Sequence, residues 1–208
     1  ACEDFAHAGY PDCEALLIIE VEGSAAEIDE QLGLIGQIAR RHEPVEIRES
    51  RSEEESKKIW LGRKSAFGAM GQIADYICLD GTIPVSELAF VLRRIGELTA
   101  EYGLAVANVF HAGDGNLHPL ILYDANRPGD LDKAEALGAA ILTLCVQVGG
   151  CLTGEHGVGV EKRDLMPVQF TAADMEAQMR VKDVFDPRWL LNPAKVFPLQ
   201  VSEGRRAA

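Results

Sequence analysis

Apolar residues recur along this chain in alternating short runs and helical spacings, and the first such pair sets the pattern. Residues 15–21, Ala-Leu-Leu-Ile-Ile-Glu-Val, form a strand-like run. Ser24-Ala-Ala-Glu27 follows as a capping box and predicts a helix to about residue 41. The charged run 48–58 begins a second helix, whose less polar side carries Ile59, Trp60, Arg63 and Phe67. Residues 73–79 read as the next strand, 80–84 as a turn, and 86–102 as a helix with Gly103 at its C-terminal boundary. The runs 104–110 and 119–123 are rich in Val, Ile, Leu and aromatics and flank the turn residues Gly113, Asp114, Gly115 and Asn116, which predicts a β-hairpin. Asp130 is placed to cap a helix over 131–148 that Gly149 and Gly150 end, and 171–184 reads as a last helix before Asp186-Pro187.

Strands and helices in this order, with a hairpin inside, predict an α+β fold: an antiparallel sheet with helices on one face, similar to ferredoxin-like units. One domain is expected over residues 1–200, followed by a disordered tail, 201–208.

Composition narrows the function classes. With 208 residues and a net charge of −13, the chain lacks the clustered cations that non-specific binding to nucleic acid or anionic lipid requires. The apolar runs 15–21 and 139–148 are too short or interrupted to span a bilayer, and no charged-then-apolar leader opens the chain, so no transmembrane segment is expected. The expected location is cytoplasmic, with membrane association through partner subunits left open. Cys2, Cys13, Cys78, Cys145 and Cys151 are odd in number and lack Cys-x-x-Cys spacing, so reduced, buried thiols are expected, with Cys78 and Cys151 as small hydrophobes in strand-like runs. The opening Ala-Cys-Glu-Asp-Phe, without methionine, suggests a piece of a longer protein.

The histidines carry the candidate chemistry. Three of five fall in two glycine-studded motifs: His111-Ala-Gly-Asp-Gly-Asn-Leu-His118 and Thr153-Gly-Glu155-His156-Gly. The hairpin would bring His111 and His118 together, imidazole is a common ligand for divalent metals, and Glu155 offers a third, oxygen ligand. His156 beside it is suited to take a proton. Histidines beside strands also serve as hydrogen-bonded structural residues, Glu155 suits a helix N-terminus, and Arg63 could pair with the acidic run 53–55, so the residues alone leave both kinds of reading open.

Asp75-Tyr-Ile-Cys-Leu-Asp-Gly-Thr-Ile-Pro84, Val106-Ala-Asn-Val-Phe-His-Ala-Gly-Asp-Gly-Asn116, Gly154-Glu-His-Gly157, Phe185-Asp-Pro187 and Leu191-Asn-Pro193 together closely resemble the C-terminal domain of FAD-linked oxidases of the vanillyl-alcohol oxidase type. The resemblance implies a family that oxidises 2-hydroxy acids to 2-oxo acids, passing a hydride to FAD and electrons onward to an acceptor. It implies His111, His118 and Glu155 as ligands of a divalent metal (zinc, manganese or iron), and His156 as the base for the substrate hydroxyl proton. It further implies Arg63 as the anchor of the substrate carboxylate and Asn192 as a flavin contact. D-2-hydroxyglutarate dehydrogenases, distant relatives, carry lysine where this chain has Cys78 and asparagine where it has Leu120; the difference favours a small monoacid such as glycolate or D-lactate.

No glycine loop in a strand-turn-helix setting is present to cradle a pyrophosphate, so FAD is expected to be held by an N-terminal domain absent from this chain. That domain, other oxidase subunits or an electron acceptor, and a small 2-hydroxy acid are the expected partners. The alternatives are a stand-alone metal-dependent hydrolase and a metal-stabilised interaction module.

Overall fold

A computed structural model describes residues 1–206, with side chains to residue 202. The described residues divide into two compact units, Ala1–Ile73 and the residues from Ala74 onward.

The first unit is helical. A short helix α1 (Cys2–Ala6) precedes α2 (Ala25–Arg40) and α3 (Glu53–Gly71). The predicted capping box opens α2: the Glu27 amide donates to Ser24 Oγ, and Glu27 Oε2 accepts from the Ser24 amide at 2.8 Å. Helix α3 starts later than the charge run suggested, because Ser52 is the residue whose hydroxyl caps it, accepting from the Glu55 amide at 3.2 Å.

The strand predicted over 15–21 does not form. A strand needs a hydrogen-bonded neighbour, and no ladder joins this run to another among the described residues; Leu16, Leu17 and Ile19 are 44%, 68% and 50% exposed. Instead it and residues 44–50 line a cavity of about 570 Å³ beside Leu32 and Ile35 of α2 and Trp60 of α3.

The second unit contains the sheet. Strands β1 (Asp75–Cys78) and β2 (Gly81–Thr82) both pair antiparallel with β4 (Asn116–Tyr123). Their register is continuous, Cys78 opposite Leu120 and Gly81 opposite Leu117, so the predicted turn at 80–84 contains the resumption of one interrupted strand. Leu79 and Asp80 bridge the gap, with the Leu79 amide donating to the Pro119 carbonyl at 3.1 Å. A 3-10 turn (Val85–Glu87) leads into α4 (Leu88–Tyr102), closed by Gly103 at φ 65° as predicted. Strand β3 (Ala105–His111) then forms the predicted hairpin with β4, Val109 opposite His118 and His111 opposite Asn116. Helix α5 (Asp130–Gln147) follows with Gly129 at the N-cap; Asp130 occupies the first turn rather than the cap. Residue 151 returns to the sheet through a single antiparallel bridge to Thr82. A 3-10 turn (Arg163–Leu165), α6 (Met166–Gln169), α7 (Ala172–Phe185) and α8 (Leu199–Arg206) complete the unit. The segment expected as a disordered tail is thus helical to residue 206; residues 207–208 lie outside the described residues.

The α+β expectation holds, as a four-stranded antiparallel sheet with helices. Alternation along the strands separates two faces. Leu79, Leu117 and Ile121 join Val91 and Ile95 of α4 and Leu137, Ile141 and Cys145 of α5 in the core. By register, Cys78, Asp80, Thr82, Asn116, His118, Val109 and His111 share the opposite face. Among the described residues no helix is long and apolar enough to cross a membrane.

The hairpin turn sets the tip of this face. Gly115 has φ 67°, its carbonyl accepts from the Ile83 amide at 2.9 Å, and a Cβ there would stand 2.1 Å from the Ile83 carbonyl oxygen. Gly115→Ala is therefore expected to cost about 1–3 kcal/mol in urea denaturation, whereas Gly113→Ala, with open space around its Cβ, should stay within about 0.5 kcal/mol of the parent. Equal midpoints for the two variants would contradict this account of the turn.

Candidate metal and proton-transfer site

The site grows from a buried carboxylate. Asp80 is fully buried in the interrupted strand, on the same face as His118. Thr153 Oγ1 donates to it at 2.5 Å, and the backbone amides of Gly154, Glu155 and His156 donate at 3.0, 3.1 and 2.8 Å. Lys162, also buried, adds its ammonium at 3.2 Å. Burial by itself opposes ionisation of Asp80, but the Thr153 hydroxyl, the His156 and Glu155 amides and the Lys162 charge together hold its carboxyl well below the usual carboxylate range. The anion in turn fixes the loop that presents Glu155 and His156. Gly154 is required there, because a Cβ would come within 2.8 Å of both Asn116 Oδ1 and Thr82 Cγ2.

Three of the sequence-predicted residues converge above this loop. His118 is buried, and its Nδ1 lies 3.1 Å from the Leu79 carbonyl, an acceptor only. That contact assigns the proton of a neutral imidazole to Nδ1 and makes Nε2 its acceptor nitrogen. Nε2 faces Glu155 Oε1 at 2.9 Å. Two acceptors at that distance repel unless a proton or a cation lies between them, so the donor set itself fits a divalent metal. The His156 ring stacks on His118, centroids 5.0 Å apart and 14° from parallel, with its Nε2 3.9 Å from Glu155 Oε1. Glu155 and His156 are exposed, so the open side of the group faces solvent.

Ligand-capable atoms of Asp80, His118, Glu155 and His156 lie within 4.8 Å of one another, and so do those of Cys78, His118 and His156. His111 is in neither group; it meets His118 edge-on, centroids 5.4 Å apart. Arg63 belongs to the first unit, where its guanidinium lies over the Phe67 ring at 5.8 Å; of the acidic run beside which it was read, Glu53 pairs with Lys57. Asn192 has φ 46° in the turn after α7, a stretch held by Asp186, which accepts from the Leu190 and Leu191 amides and from Lys182.

Sequence reasoning missed Asp80, Thr153 and Lys162. Asp80 had been assigned to a turn, yet an acid between Leu79 and Gly81 in an apolar run already signals a buried anion that needs donors. The cysteines also depart from expectation. All five are free, but only Cys145 is fully buried; Cys78 is half-buried and sits on the site face instead of the core. Burial, reinforced by the Asp80 charge, pushes the Cys78 thiol up to about 11.

The family description "FAD linked oxidases, C-terminal domain" matches residues 1–196. The chain belongs to the FAD-linked oxidase C-terminal domain family. The chain is 49% identical over 200 residues to glycolate oxidase subunit GlcD of Escherichia coli (strain K12), covering 95% of this chain and 40% of that protein. It is 32% identical to glycolate oxidase subunit GlcD of Bacillus subtilis (strain 168), covering 94% and 42%. With the mitochondrial D-lactate dehydrogenase [cytochrome] of Arabidopsis thaliana it shares 29% identity, over 89% of this chain and 33% of that one. The chain thus spans about 40% of the length of the glycolate oxidase subunits it matches, and its family is the one its motifs resemble.

Replacing Asp80 tests its role in the domain. Asp80→Asn removes the charge opposite Lys162 and turns an amide toward backbone donors, so the thermal midpoint should fall in line with a loss of about 3–5 kcal/mol. The acid limb should change too. A native carboxyl titrating below its unfolded value of about 3.9 stabilises fully above that pH and loses its contribution as pH falls toward the native pKa. The variant should therefore lose less stability between neutral pH and the acid range than the parent; parallel pH profiles would contradict the assignment.

Proposed function

We propose that this chain is the substrate and metal domain of an FAD-dependent 2-hydroxy-acid dehydrogenase that converts glycolate or D-lactate to the 2-oxo acid. The observation that carries the reading is the 2.9 Å approach of His118 Nε2 to Glu155 Oε1, with Nδ1 engaged by a carbonyl: a nitrogen and a carboxylate oxygen that a proton or a cation bridges, in a family of FAD-linked oxidases. The relatives named glycolate oxidase subunit and D-lactate dehydrogenase support the substrate class.

His118, Glu155 and His111 would hold zinc, manganese or iron. When bound, such a cation would supply Lewis acidity toward the substrate hydroxyl, and a flavin would supply the hydride acceptor for the α-carbon. His156 takes the hydroxyl proton, and its stack on His118 keeps the imidazole beside the substrate oxygen. Arg63 pairs with the substrate carboxylate through its planar guanidinium. Cys78 and Leu120, opposite each other in the register, offer no charge to a second carboxylate, in keeping with a monoacid. FAD is held mainly by a domain outside this chain, with Asn192 contributing a contact. The strand-helix-strand-strand-helix order, closed by the Thr82 and Cys151 bridge, is read as ferredoxin-like.

Family membership supports this oxidase reading over a stand-alone hydrolase or an interaction module. In the full-length protein loaded with FAD and metal, glycolate or D-lactate should reduce an artificial electron acceptor, and this chain plus FAD alone should not. His156→Ala should lower kcat by about 100- to 10,000-fold with metal content intact, whereas His118→Ala should lose the metal. Full activity in His156→Ala, or flavin-independent ester hydrolysis by the metal-loaded chain, would overturn the proposal.

A further inference from the structure

We propose that the exposed face of helix α7, with the turn after it, is the docking surface for the flavin-holding part of the full-length oxidase, whose matching surface is apolar with carboxylates at its rim. This rests on the reading above for one point, that polypeptide outside this chain holds the flavin.

Helix α7 is apolar on two sides. Met175 and Met179 are buried, and Met179 packs against Trp189 and Phe197. Ala177, Val181, Val184 and Phe185 follow the i, i+4, i+7, i+8 spacing of a second face, and each is exposed. Val181, Val184 and Phe185 are 61%, 76% and 80% exposed. A helix that meets solvent on one side carries polar residues there, so a second apolar stripe marks a surface that another body covers.

The turn after the helix extends the patch. Leu190 and Leu191 are both 61% exposed. Their amides donate to Asp186 at 3.0 and 2.9 Å, and the Lys182 ammonium donates to the Leu191 carbonyl at 2.9 Å, which ties both residues to the end of α7. On either side of the pair, Trp189 and Asn192 have φ of 51° and 46°, a left-handed backbone that non-glycine residues keep only where surrounding contacts impose it. The fold thus accepts strain to hold two leucines outward.

Charge identifies the partner surface. The chain carries −13 overall, yet Arg180, Arg188 and Lys195 are exposed in this segment. Its acids are engaged internally: Asp186 is buried against Lys182, and Asp183 accepts from the Trp189 indole. Arg180 lies one turn before Val184 and Arg188 follows Phe185 closely, so cations border the stripe. A second copy laid face to face on this patch would set arginine against arginine between two acidic bodies, which opposes self-association. An anionic membrane meets the same overall negative charge. The matched glycolate oxidase subunits are much longer, the chain covering 40% and 42% of them. The patch is small beside the roughly 20–30 residues a side of a free-standing complex. A tethered partner meets it at a far higher effective concentration, so a small contact suffices.

The test places a thiol on the stripe. Val184→Cys is made in this chain and in the full-length protein, and maleimide labelling at that position is read by peptide mass spectrometry. The position should label in this chain, and labelling should be lost in the flavin-loaded full-length monomer. Arg180→Glu combined with Arg188→Glu should restore labelling in the full-length protein; continued full protection would overturn the carboxylate rim. Equal labelling in both proteins would overturn the docking surface. So would protection of this chain that appears only with a dimer in sedimentation, or only on vesicles of anionic phospholipid. A full-length protein that binds no FAD would overturn the underlying reading, whereas a flavin-loaded one that labels freely would overturn this inference alone.

Discussion

The second unit depends on one buried anion. Asp80 has no exposure to water, and a carboxylate in that position is tolerated only because five donors converge on it: the Thr153 hydroxyl, three consecutive amides and the Lys162 ammonium. The same contacts satisfy loop amides that no helix or ladder provides for. Stability and the geometry of the candidate site are therefore coupled through a single side chain, since the amides it gathers include those of Glu155 and His156.

The sheet supplies the other constraint. Because β4 is paired on both sides in unbroken registers, its alternating side chains are committed: Leu117 and Ile121 to the core with α4 and α5, Asn116 and His118 to the site face. A shift of one residue would exchange the two sets and bury the imidazole among leucines. The break at Leu79 and Asp80 interrupts the ladder without disturbing register, and there the chain directs Asp80 into the loop and the Leu79 carbonyl onto His118. Structure and chemistry thus meet at a local defect in an otherwise regular strand.

The arrangement of the candidate site follows from the same economy of contacts. His118 is fixed by a backbone carbonyl, Glu155 by the Asp80 anchor beneath its amide, and His156 by that anchor and by stacking on His118. The backbone of Glu155 and of His156 is held at its amide, and His118 is held at its ring. Groups arranged before a ligand arrives lose little freedom on binding one.

Local chemistry was enough to determine much of this protein. Ser24 and Glu27 announced α2, Gly103 ended α4, and the glycine-rich turn between two apolar runs specified the hairpin, because caps and turns act over a few residues. The clustering of His111, His118, Glu155 and His156 in two motifs was equally legible, as was the family resemblance. Pairing was not legible. Residues 15–21 have strand-like composition but no ladder, and residues 80–84 have turn-like composition but contain a strand segment, because a strand is completed by a distant neighbour. Asp80 and Lys162 stand 82 positions apart, Asp80 and His156 76. Only the folded sheet brings them together: the apolar setting of Asp80 marks a buried anion, but which donors meet it depends on distance in space and leaves no trace in local pattern.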